Sequence, residues 1–171
     1  MIDRRALLAL FAALPILPAA AVDGPDAVVA AIYKRIVASL APGTGNTING
    51  AFTWSKKKDR HHYYSASLAR AWDRADAITA KGDQNPPAAD PITNSQDPLV
   101  AAFTVAIERQ DATTATVVAR IGDKPPPPTD AWDIVMYDMV LERGRWRIDN
   151  IRPGAGKDAW SLRQEIANHK G

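Results

Sequence analysis

The chain contains no cysteine among its 171 residues. Disulfides, thiolate catalysis, thiolate metal ligands and a lipid-modified cysteine are all excluded by that absence. Only three histidines occur, and His61 and His62 are adjacent. Adjacent residues on a helix point about 100° apart, whereas metal pairs on a helix want spacings of three or four. His169 lies near the far end of the chain, so neither a metal site nor a cofactor is expected. A Gly-x-Ser-x-Gly elbow and a phosphate-cradling glycine loop are missing as well, which leaves nucleophilic and nucleotide chemistry without support. An excess of one charge sign is also lacking, with 21 basic against 19 acidic residues. Nucleic-acid binding needs a concentrated basic face. The one basic run, Lys56-Lys57-Lys58 with Arg60, is too short for that and reads as a solvated helix approach. After position 21 no apolar run reaches the roughly 18 residues of a membrane span, so no mature span is expected.

What is present begins at the N-terminus. Arg4 and Arg5 form a positive region, Ala6 to Leu17 an apolar stretch, and Pro18-Ala19-Ala20-Ala21 a small-residue cleavage site. Residues 1–21 therefore read as a signal peptide, with a soluble mature domain over 22–171 in the periplasm or outside the cell. Asp3-Arg4-Arg5-Ala6-Leu7-Leu8 also fits a twin-arginine export signal, and a plain secretory signal with two chance arginines explains the same residues. Hydrophobic residues make up 46% of the chain, enough apolar material for one core.

The apolar spacing predicts a helix over Asp26–Leu40, ended by Pro42-Gly43, and a second over Asp59–Lys81 with a stripe from Tyr64 and Leu68 to Trp72 and Ile78. A short edge strand bounded by prolines is predicted within 90–98. Strands follow over Leu99–Arg109, Thr113–Ile121, Trp132–Glu142 and Arg145–Ile151, the third apolar on both faces and hence central. Glu142-Arg143-Gly144-Arg145 reads as a hairpin, Pro125 to Pro128 as a stiff connector, and Ala159–His169 as a C-terminal helix. Helices first and an antiparallel meander after them specify α+β, with helices packed on one sheet face.

Tyr63-Tyr64-Ser65-x-x-Leu68, Asp90-Pro91 with Gln96-Asp97, Trp146-Arg147-Ile148-Asp149-Asn150-Ile151 and Ser161-Leu162-Arg163, in that order behind an export signal, resemble a family. It is that of the bacterial exported domains of unknown function, family 3828. The resemblance spans nearly all of the mature chain. It implies a curved, mainly antiparallel sheet in a nuclear transport factor 2-like cone, and an envelope location. It implies no reaction. Some relatives are lipoproteins, from which this chain departs by lacking the lipobox cysteine.

Asp138 is the sharpest candidate, because it interrupts a face otherwise formed by Ile134, Met136 and Val140. An ion pair with an arginine on a neighbouring strand, such as Arg120 or Arg147, explains it as structure. Desolvated instead, it would act as a general base with a tyrosine such as Tyr137 or Tyr63, in the way cone-fold isomerases place acids. Asp90, Asn94, Gln96 and Asp97 cluster as oxygen donors but lack calcium-loop spacing and read as turn chemistry. Trp72 and Trp146 are expected in the core. Trp54, Tyr63 and Trp132 lie near element ends and are the candidates for a pocket mouth. The expected function is an exported binding or interaction domain whose partner is another envelope protein or a small apolar ligand. The alternative is a small-molecule isomerase, dehydratase or hydrolase.

Overall fold

The computed structural model describes residues 23–40, 56–79, 86–87, 90–94, 100–125, 134–154 and 160–169. The signal segment, Trp54, Trp132, Gln96 and Asp97 lie outside the described residues. Along the described chain run α1 (Pro25–Leu40), α2 (Lys57–Tyr63), α3 (Ala66–Ile78), β1 (Ala102–Gln110), β2 (Thr114–Gly122), β3 (Ile134–Glu142), β4 (Arg145–Pro153) and α4 (Leu162–Asn168). The class is α+β, and no described helix is long and apolar enough to cross a membrane.

The strands form one curved antiparallel sheet in the order β1-β2-β3-β4. β3, apolar on both faces, is an inner strand, as the sequence predicts. The β3–β4 turn places Arg143 at φ 51° and Gly144 at φ 75°. Positive φ at both central residues is the type I′ hairpin, whose twist matches that of the flanking strands. The β1–β2 turn is held by Asp111, whose carboxylate accepts the Thr113 and Thr114 amides, both at 2.8 Å.

One sheet face carries Val117, Ala119, Val135, Tyr137, Met139, Trp146, Ile148 and Ile151 into a core shared with the helices. Alternation along the strands puts Thr116, Val118, Met136, Asp138 and Arg152 on the other face. Pro25 starts α1, where its missing N–H leaves nothing unsatisfied. Val29, Ile32, Tyr33 and Ile36 then form a buried stripe against the sheet. Trp72 and Trp146 are both buried.

Two expectations are corrected. The helix predicted over Asp59–Lys81 is two helices, because Tyr64 and Ser65 are extended. Tyr64 bridges Ile148 in parallel, and the Ser65 amide donates to the Ile148 carbonyl at 2.7 Å. The Ser65 hydroxyl then caps α3 by accepting the Leu68 amide at 3.1 Å. Within the edge strand predicted over 90–98, Pro91–Asn94 is instead a turn. Asp90 Oδ1 accepts the Ile92 amide at 2.8 Å, and Asn94 lies at φ 51°. This is the local side-chain bonding that competes with a ladder. The predicted strands are otherwise present with shifted ends, β4 reaching Pro153 and α4 shortened to Leu162–Asn168.

β4 also binds the helices together. Asp138 pairs with Asn150 and Met139 with Ile148, so Asp149 is the extra residue of a bulge. Ser65 Oγ donates to Asp149 Oδ1 at 2.6 Å, and Arg163 pairs with the same oxygen. Asn150 Oδ1 accepts the Ser161 hydroxyl at 3.0 Å and the Arg163 amide at 3.1 Å, which fixes the start of α4.

Candidate functional site

Asp138 lies on the sheet face opposite the one that carries the core, directly across the ladder from Thr116 and Asn150. Arg152 forks onto it, Nε to Oδ2 and Nη2 to Oδ1, both at 3.1 Å. Asn150 Nδ2 adds a third donor at 3.3 Å. About a third of the carboxylate side chain, 35%, remains accessible. Both of its oxygens are engaged by one guanidinium, the arrangement of a structural ion pair rather than of a base poised over a substrate proton. The pairing also raises Arg152 above its ordinary pKa. The partner is Arg152, whereas the sequence suggested Arg120 or Arg147.

Tyr137 stands on the opposite face, since consecutive strand residues alternate. It is fully buried. Tyr33 donates its hydroxyl proton to the Ile92 carbonyl at 2.7 Å. The 2.8 Å contact between the Tyr33 and Tyr137 hydroxyls therefore has Tyr137 as donor. Burial raises both tyrosines far above the ordinary phenol range, and burial also raises the nearby Asp90. Among the described residues the buried Tyr64 hydroxyl meets no hydrogen-bond partner. Asp138 and Tyr137 are thus not brought together, and Tyr63 is on neither face of β3 but at the end of α2.

Tyr63 does line open space. Among the described residues, three concavities lie beside α2. The first, about 500 Å³, has Ala27, Val28, Ala31 and Trp146 as apolar lining, with Tyr63, His62, Asp23, Arg145 and Arg147 around them. The second, about 840 Å³, lies across the β3–β4 hairpin and is lined by His61, Tyr64, Ala66, Ala69, Glu142 and arginines 70, 143, 145 and 147. The third, about 640 Å³, holds Arg35, Lys58, Asp59, His61, His62 and Tyr63. Arg35 Nη1 reaches Asp59 Oδ1 and the Tyr63 hydroxyl oxygen, each at 3.3 Å, and so orients the tyrosine.

A seven-residue helix such as α2 is too short to hold itself. Arg60 anchors it. Its side chain is 4% accessible, and Nη2 donates to Asp73 Oδ1 at 3.2 Å and Asp76 Oδ2 at 2.5 Å on α3. Its guanidinium lies 5.1 Å from the Trp72 ring centroid, and Trp72 stacks on Tyr64 at 5.6 Å and 6°. His61 Nε2 also bonds Asp73, at 2.8 Å. Burial alone would raise Asp73, but His61, Lys57 and Arg60 outweigh it and hold the carboxyl below its ordinary range.

The sequence reading missed the arginines of the hairpin. Arg143, Arg145 and Arg147 alternate along the chain, and this was the available signal, since alternate strand residues share a face. Among the described residues no group of His, Asp and Glu is placed to hold a metal ion. No protein-family model, curated protein or solved structure matches this chain.

Proposed function

We propose that this is an exported binding domain of the bacterial envelope, built on a nuclear transport factor 2-like cone, which takes a small ligand in the clefts around α2. The observation that carries the reading is the 500 Å³ cleft between α1, α2 and the start of β4. Its volume is within the range of small-molecule sites, and its apolar lining of Val28, Ala31 and Trp146 with polar groups around it suits orientation of a partly apolar ligand. Tyr63, the pocket-mouth candidate from the sequence, stands in that lining. Export rests on Arg4, Arg5 and the Ala19-Ala20-Ala21 site.

Catalysis has less support. Its proposed base, Asp138, is forked by Arg152, and its proposed tyrosine, Tyr137, faces the opposite way with its proton committed to Tyr33. Anilinonaphthalene sulfonate, an aromatic anion, is a suitable probe. Saturable one-site binding to the folded mature domain is expected, and Ala31→Trp, which fills the cleft, abolishes it without altering circular dichroism. Unchanged binding in Ala31→Trp refutes the location.

A further inference from the structure

We propose that the 840 Å³ cleft across the β3–β4 hairpin is an oxyanion site that binds a phosphate- or carboxylate-bearing group. The inference deepens the binding reading, since Arg145 and Arg147 line both this cleft and its 500 Å³ neighbour. Charge is the first support. Four arginines and His61 line the cleft against one carboxylate, Glu142, although the chain as a whole is nearly balanced. Among the described residues none of Arg70, Arg143, Arg145 and Arg147 is ion-paired.

The second support is what Glu142 does. It stands directly across the ladder from Arg145, yet its oxygens lie 3.0 and 3.3 Å from the Ala66 amide at the start of α3. One carboxylate is therefore already bound at the cleft wall by a backbone donor, and the arginines are left with vacant donor forks. Arg145 and Arg147 are two residues apart on one strand face, about 7 Å along the strand. Two guanidinium groups at that spacing match the oxygens of one multiply charged anion.

A third support is backbone strain. Arg143 holds φ 51°, a left-handed conformation that asparagine and glycine adopt at less cost. An arginine kept there places a fourth cation at the cleft despite a penalty on the turn, and such outliers concentrate where a ligand is handled.

The test is titration of the mature protein with inorganic pyrophosphate, and separately with citrate, by calorimetry at fixed ionic strength. At least one anion is expected to bind saturably, with sodium chloride at the same ionic strength giving no such heat. Pyrophosphate alone assigns a phosphoryl group, citrate alone a carboxylate group. Arg145→Gln and Arg147→Gln are each expected to weaken binding about tenfold, the scale of one charge-assisted hydrogen bond. Arg143→Asn suits the turn and is also expected to weaken binding about tenfold while leaving the fold intact. Arg109→Gln, on the opposite edge strand, is expected to stay within twofold. Binding of neither anion, or affinity within twofold of wild type in all three cleft variants, overturns the proposal. Ala31→Trp separates the two readings, because it should remove the aromatic probe from the neighbouring cleft and leave anion binding unchanged.

Discussion

Replacing Arg60 by methionine removes the charge that holds α2 against α3 while keeping an apolar stem in place. The side chain is 4% accessible and pairs with two carboxylates. Breaking a buried ion pair by deleting one partner costs roughly 3–5 kcal/mol. Here that figure must be reduced. Asp73 and Asp76 are 24% and 28% accessible, and Asp73 keeps His61 at 2.8 Å and Lys57 at 3.5 Å. A remainder of about 2 kcal/mol is reasonable, to which loss of the Trp72 contact adds about 0.5–1 kcal/mol. The Arg60→Met variant is therefore expected to lose about 2–3 kcal/mol in urea unfolding at pH 7, with an unchanged m-value. Amide hydrogen exchange should rise most over α2, whose one buried charge is Arg60. In a cycle with Asp76→Asn the two losses should fall short of additive, as for groups in one network. A loss below about 0.5 kcal/mol, or full additivity, would show that Arg60 does not anchor α2.

Trp146→Ala is expected to cost about 3–5 kcal/mol, the usual scale for deleting a buried large aromatic, and a melting temperature equal to wild type would contradict its place under the sheet. Asp138→Asn should destabilise by no more than about 1 kcal/mol, because the Arg152 pair is about a third accessible. A more stable Asn variant would point back to a desolvated base. Asp90 is raised by burial, so its folded form binds its proton more tightly than the unfolded chain does. Its ionisation then lowers stability as pH rises above the unfolded carboxyl value. Asp90→Asn should accordingly gain in melting temperature over wild type from acidic pH towards neutrality, and a gap that is flat with pH refutes the assignment.

Local chemistry was legible in the sequence, and long-range register was not. The hairpin at Arg143-Gly144, the inner position of β3 and the burial of Trp72 and Trp146 follow from turn residues, two-faced apolarity and helical spacing. The break between α2 and α3 does not, because the Ser65 amide is satisfied by the Ile148 carbonyl, a partner distant in sequence. Asp138 shows the limit most clearly. In an unbroken antiparallel register Arg147 would be its diagonal neighbour. The bulge at Asp149 shifts that register by one residue and brings Asn150 opposite and Arg152 diagonal. The bulge in turn places Asp149 against Ser65 and Arg163. Ser65, Asp149 and Arg163, from three segments distant in sequence, therefore meet at one junction. The hairpin arginines went unread because charge balance averages over the chain and conceals a local excess.

The proposed location of ligand binding is tested most directly by mapping amide chemical-shift changes on the isotope-labelled protein as anilinonaphthalene sulfonate is added. The account predicts the largest changes at Ala27 to Ala31, at His62 and Tyr63 and at Arg145 to Arg147, the three segments that line the 500 Å³ cleft. Largest changes on the outer sheet face around Asp138, Asn150 and Arg152 would contradict it.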